Sequence, residues 1–145
     1  MRVSSDFPNL NSKDPEGLNE IGQPYKVMIV DDSIFIQKQL NQILISEQFE
    51  VIDTALDGVE ALEKYKEHHP KVDFVTMDIT MPNMDGLTCL TEILKFDKDA
   101  KIIVISALGK EDLVKRALVA GAKNYIVKPL DRKKVLERIK SALGK

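Results

Sequence analysis

A chain of 145 residues, 43% apolar and 30% charged, has the make-up of one soluble globular domain with a single substantial core. Its formal net charge of −2 argues against nucleic acid or an anionic membrane as a partner recognised by bulk charge. No apolar run is long enough to span a bilayer and no apolar signal core follows the start, so the protein is expected in the cytoplasm, off the membrane.

Residues 1–24 show neither a helical nor a strand period, and Pro8, Pro15, Pro24, Gly17 and Gly22 are scattered among polar residues. They read as a flexible leader, able to pack loosely on the domain that spans residues 25–145 but carrying none of its chemistry. From Lys26 the pattern tightens. Residues 26–30 form a short buried strand ending in Asp31-Asp32, and Ser33 is placed to cap a helix carrying Ile36, Leu40, Ile43 and Leu44 at helical spacing. Residues 51–55 make a second strand. Asp57-Gly58 then turns into a helix bearing Val59, Leu62 and Tyr65, which ends at His68-His69-Pro70. The two histidines suit the negative end of that helix dipole.

Residues 73–77 are the third strand, its apolar run from Phe74 to Met77 stopped by Asp78 and a Pro82-Asn83-Met84-Asp85-Gly86 turn. The helix after it carries Leu87, Leu90, Ile93 and Leu94. The chain's single cysteine, Cys89, excludes an internal disulfide and a multi-cysteine metal site, and reads as a small packed residue. Residues 101–105 are the fourth strand, ending in Ser106. A helix over about 111–120 stops at Gly121, a residue suited to a left-handed cap. Residues 124–127, ending in Lys128-Pro129, are the fifth strand. Asp131 caps a last helix with Val135, Leu136, Ile139 and Leu143 inward. Five strands alternating with five helices give an α/β fold, a doubly wound parallel sheet of the flavodoxin-like order 2-1-3-4-5.

That order explains why chemistry gathers where it does. The first and third strands flank the switch point of the sheet, with the fourth and fifth beside them, and the second lies at the far edge. Asp31, Asp32, Asp78, Ser106 and Lys128 all stand at the carboxyl ends of the four strands nearest that point. The second strand, at the edge, ends in the inert Thr54-Ala55. Three carboxylates at ~5 Å and an effective dielectric of ~20 repel by roughly 3 kcal/mol per pair. Such a cluster calls for a hard cation with oxygen ligands, and Mg²⁺ suits a few carboxylates with water and phosphate oxygens. Asp78 is then free to act as a nucleophile toward phosphorus. The Lys128 ammonium would neutralise a transferring phosphoryl group, and the Ser106 hydroxyl would donate to one of its oxygens.

From Lys26 to Leu143 the chain resembles the receiver domain of two-component response regulators, in particular the stand-alone chemotaxis type. The motifs are Val30-Asp31-Asp32-Ser33, Met77-Asp78-Ile79-Thr80-Met81-Pro82-Asn83-Met84-Asp85-Gly86, Ile105-Ser106-Ala107 and Tyr125-Ile126-Val127-Lys128-Pro129, in order over almost the whole folded chain. The resemblance implies that Asp78 accepts a phosphoryl group from a phosphohistidine on a chemotaxis-type histidine kinase. It implies Mg²⁺ at Asp32, Asp78 and the Thr80 backbone carbonyl, with Asp31 in support. It also implies a switch pair of Ser106 and Tyr125, and a Lys128-Pro129 bond in cis. A protein of this kind catalyses only its own phosphorylation and dephosphorylation, acts as a monomer and is reset by a dedicated phosphatase.

With the last helix running into Lys145, output is expected through docking to another protein. The flagellar motor switch is the favoured target, and a phosphorelay shuttle to a histidine phosphotransfer protein is the alternative. Two other α/β readings fit less well. An FMN binder needs a Ser/Thr/Gly-rich loop after the first strand, where this chain has two acids. A haloacid-dehalogenase-type phosphatase needs an acid two residues beyond its nucleophile, where Thr80 stands.

Overall fold

The computed structural model describes residues 14–145; the first part of the leader, residues 1–13, lies outside the described residues. The elements run β1 (Lys26–Val30), α1 (Ile34–Ser46), β2 (Glu50–Ala55), α2 (Gly58–His68), β3 (Phe74–Asp78), α3 (Gly86–Phe96), β4 (Ile102–Ser106), α4 (Glu111–Ala120), β5 (Asn124–Val127) and α5 (Arg132–Ala142). All neighbouring strands pair parallel, in the order β2-β1-β3-β4-β5. The doubly wound α/β sheet expected from the strand pattern is the fold observed.

Strand alternation sorts the core into two layers. Met28, Val30, Val75, Met77, Ile102 and Val104 pack against Ala61 and Tyr65 of α2, Cys89, Leu90 and Ile93 of α3, and Val114 and Ala117 of α4. Val27, Ile29, Phe74, Ile103, Ile105 and Ile126 face Leu40 and Leu44 of α1 and Val135 and Ile139 of α5. β3 and β4 are buried along their whole length, which is why they read as unbroken apolar runs. Cys89 is a small packed residue, as its sequence context implied.

Four helices begin at a side chain that accepts a backbone N–H from three residues on: Ser33, Asp57, Asp85 and Asp131. Each such cap contributes about 1 kcal/mol. α4 starts at Lys110 without one. Gly121 ends α4 at φ 123°, a backbone conformation that a side chain would strain.

Three local readings change in the folded chain. Val59, placed on the same helical stripe as Leu62 and Tyr65, is exposed, and the buried positions of α2 are Gly58, Ala61 and Tyr65, so the inward stripe runs through 58, 61 and 65. β3 and β4 each run one residue further than their apolar stretches. Asp78 and Ser106 are paired in the ladder opposite Ile105 and Val127, so polarity did not end the strand there. Residues 14–24 make specific contacts where loose packing was expected. Leu18 and Pro24 form an antiparallel bridge, the Gly17 N–H donates to the Glu47 carbonyl at 2.8 Å, and the Tyr25 N–H donates to the Gly17 carbonyl at 2.7 Å. Gly17 is buried, and a Cβ there would lie 2.3 Å from the Phe49 nitrogen.

Candidate functional site: an acidic crevice at the carboxyl edge of the sheet

The crevice is assembled from strand ends. β1 delivers Asp31, which is fully buried, and the exposed Asp32; β3 delivers Asp78, which is 4% exposed. One carboxylate oxygen from each of the three lies within 4.8 Å of the others. The loop after β5 brings the Lys128 ammonium to 3.4 Å from Asp31 Oδ2 and 3.5 Å from Asp78 Oδ2. Backbone donors hold the other oxygens: the Ser33 N–H reaches Asp31 Oδ1 at 2.9 Å and the Thr80 N–H reaches Asp78 Oδ1 at 3.2 Å. Of the residues nominated from the sequence, Asp31, Asp32, Asp78 and Lys128 are brought together here.

Burial of charge without enough compensation sets the electrostatics. The Asp78 carboxyl is pushed from 3.8 up to about 6, first by burial and then by the charge of Asp31, with Lys128 pulling the other way. Asp31 is raised as well, again chiefly by burial. Asp31 Oδ2 is buried with no hydrogen-bond partner, although Lys128 lies within ion-pair reach. One ammonium against three carboxylates, with an orphaned oxygen among them, is the donor set a hard divalent cation fits.

Ser106 is 2% exposed at the end of β4, one residue beyond the partner of Asp78, and its hydroxyl donates to the Ala107 carbonyl at 2.9 Å. Tyr125 in β5 is half-buried. Thr80 opens the loop between β3 and α3, which must return tightly: the Gly86 N–H donates to the Ile79 carbonyl at 2.7 Å, and a Cβ on Gly86 would stand 2.0 Å from the Asp78 carbonyl oxygen. Only glycine permits that return. The Lys128-Pro129 bond is cis, as the family resemblance implied.

Two residues that hold the crevice went unnoticed in the sequence. Gln37, buried on the inner face of α1, donates both amide hydrogens, to the Asp31 and Ala55 carbonyls at 2.9 Å each. The signal was a polar residue on the inward stripe with Leu40 and Leu44. Asn83, at φ 66°, donates to Asp57 Oδ2 at 2.7 Å and ties the β3–α3 loop to the start of α2. Asn within a Pro-Asn-Met-Asp-Gly turn is a residue type that tolerates the left-handed region. The histidines stay outside: His68 pairs with Asp53 at 2.8 Å and His69 with Asp97 at 3.3 Å, beside the C-terminal end of α2.

A parallel five-stranded sheet with an acidic crevice and a lysine at its carboxyl edge defines a class, and the sequence comparison agrees with it. Residues 27–140 match the response regulator receiver domain, and the chain belongs to that family, whose setting is two-component signalling. Within the family its similarity runs to the chemotaxis type. The chain is 65% identical over 143 residues to the chemotaxis protein CheY of Treponema pallidum, covering 99% of each. It is 49% identical over 120 residues to the CheY of Bacillus subtilis, covering 83% of this chain and 98% of that one. Among solved structures it resembles a chain of the CheX-CheY-BeF3-Mg complex from Borrelia burgdorferi. There the TM-score is 0.88 and the identity 60%, over 92% of this chain and 100% of the other. The Treponema alignment takes in nearly all of the leader. Among the described residues no helix is long and apolar enough to cross a membrane.

Proposed function

We propose that this receiver is a phosphorylation-activated switch of chemotaxis, with Asp78 as phosphoacceptor. The observation that carries the reading is the convergence of Asp31, Asp32 and Asp78 on one point beside Lys128. An oxygen of Asp78 attacks the phosphorus of a phosphohistidine on a chemotaxis-type histidine kinase. A phosphorus–oxygen bond forms as the phosphorus–nitrogen bond breaks, and the electron pair leaves with the imidazole. Lys128, already between Asp31 and Asp78, follows the charge onto the phosphoryl oxygens. Asp31, Asp32, Asp78 and the Thr80 backbone carbonyl would hold Mg²⁺. Bound there, Mg²⁺ supplies the charge that keeps Asp78 ionised and neutralises the transferred group. The same residues serve hydrolysis, so the protein catalyses only its own phosphorylation and dephosphorylation.

Ser106 and Tyr125 convert the phosphoryl group into a signal. The Ser106 hydroxyl, bonded to Ala107 here, turns to a phosphoryl oxygen and draws its loop inward. A cavity of about 260 Å³ lined by Ser106, Val114, Leu118 and Tyr125 then receives the tyrosine ring. The face made by α4, β5 and α5 changes shape, and a partner that prefers the inward ring reads the state. The flagellar motor switch is that partner, and a dedicated phosphatase resets the protein; the similar Borrelia CheY is seen with CheX. The protein works as a cytoplasmic monomer, on residues 25–145, with residues 1–24 dispensable for the chemistry.

The test has two arms. Asp78→Asn, with Mg²⁺ and acetyl phosphate or phosphorylated kinase, is expected to take up no phosphate; uptake at the wild-type level overturns the assignment. Ser106→Ala is expected to take up phosphate at Asp78 yet lose most of the gain in affinity for the motor-switch protein. Calorimetry with and without beryllofluoride reads that gain, and an unchanged gain means the signal leaves by another route. Affinity for a histidine phosphotransfer domain in place of the motor-switch protein would assign the shuttle role.

A further inference from the structure

Tyr125 is held by a residue that the phosphorylation chemistry does not use. Arg138 of α5 lays its guanidinium over the Tyr125 ring, 4.3 Å from the centroid, and its Nη2 donates to the Tyr125 hydroxyl at 3.3 Å. Its Nη1 reaches Asn124 Oδ1 at 3.5 Å, and Asn124 Nδ2 returns a bond to the Arg138 carbonyl at 3.2 Å. The arginine is thus anchored at its backbone and fork to β5, with its planar face on the ring. Tyr125 lines two cavities: the one beside Ser106, and a second of about 540 Å³ that Arg138 shares with Lys134 and Pro129. A ring between two spaces, gripped from one of them, has its resting position set by the grip.

We propose that Arg138 is a positioning residue that latches Tyr125 toward α5, and so sets how much of the unphosphorylated protein occupies the active packing. This rests on the two-position reading of Tyr125 given above. A guanidinium stacked on an aromatic ring gains from the ring's negative face, and the hydroxyl bond adds direction. Both contacts must be given up for the ring to turn inward, so they favour the resting state alone. A lysine at this position keeps the charge and loses the planar stack and the fork. Together the two contacts support a shift of roughly fivefold in the ratio of the two packings.

Fluorotyrosine labelling of the full chain reads the ring directly, because the sequence holds only three tyrosines. The ¹⁹F resonance of Tyr125, assigned with Tyr125→Phe, is followed in wild type, Arg138→Ala and Arg138→Lys, each with Mg²⁺ alone and with Mg²⁺ and beryllofluoride. Partner affinity does not enter, so loss of an Arg138 contact to a partner cannot imitate the effect. With Mg²⁺ alone, Arg138→Ala is expected to move the resonance partway to the beryllofluoride position of wild type, with Arg138→Lys between. A wild-type resonance that moves with beryllofluoride while Arg138→Ala starts at the wild-type position, or moves away from the active one, overturns the latch and leaves the switch standing. A wild-type resonance that does not move overturns both.

Discussion

Asp78→Asn should make the metal-free protein more stable at neutral pH, although it removes the residue on which the chemistry depends. Each pKa unit is worth about 1.4 kcal/mol. A carboxyl lifted from 3.8 to about 6 by burial and by Asp31 therefore costs the folded state on the order of 3 kcal/mol at pH 7. Asparagine keeps the acceptor for the Thr80 N–H, and the lost attraction to Lys128, 3.5 Å away, is already contained in that net shift. A net gain of about 1–3 kcal/mol is expected, or roughly 3–9 °C in melting temperature for a domain of this size.

The pH dependence fixes the sign. Below 3.8 the carboxyl is neutral in both states and costs nothing. Between 3.8 and about 6 the folded protein retains a proton the unfolded chain has lost, and above that range the folded state bears the whole charge penalty. The wild-type protein therefore loses stability relative to Asp78→Asn as pH rises through this window. Urea and thermal unfolding followed by circular dichroism, in EDTA from pH 4 to 8, should show a gap that is widest at pH 7–8 and closes toward pH 4. A variant no more stable than wild type at pH 7, or an equal gap at pH 4, would refute the argument that uncompensated burial raises Asp78.

The other predictions follow from particular contacts. Asp32→Ala should weaken Mg²⁺ binding at least tenfold, read by calorimetry, while holding or raising the melting temperature without metal; unaltered Mg²⁺ affinity removes Asp32 from the ligand set. Gln37→Leu strands the Asp31 and Ala55 carbonyls and should cost about 1–3 kcal/mol in urea unfolding, with slower phosphorylation from acetyl phosphate. Removing residues 1–24 should leave the phosphorylation rate within a few-fold of wild type, and an order-of-magnitude loss overturns the domain boundary. The same truncation should lower the melting temperature by several degrees, because it deletes the Gly17 bonds to Glu47 and Tyr25 and the Lys145 bond to the Glu16 carbonyl.

The architecture and the position of the site were legible in the chain because they depend on short-range pattern. Apolar runs of four to five residues, capping Ser and Asp residues and Gly121 mark the elements. The order 2-1-3-4-5 expected of such a doubly wound sheet then puts Asp31, Asp32, Asp78 and Lys128 at one crevice and leaves the second strand, which ends in no such residue, at the edge. Tertiary structure decided what depends on solvent access and on partners remote in sequence. Asp31 and Asp32 are adjacent and chemically identical, yet one is buried with an orphaned oxygen and the other faces water. Gln37 became a clamp through a carbonyl 18 residues away, and Arg138 met Tyr125 across a turn between β5 and α5. Gly17, one of several glycines in an irregular stretch, was singled out by the backbone of residues 47–49 closing over it. Hydrophobic period reports which way a side chain leans, and only the packed chain determines what it touches.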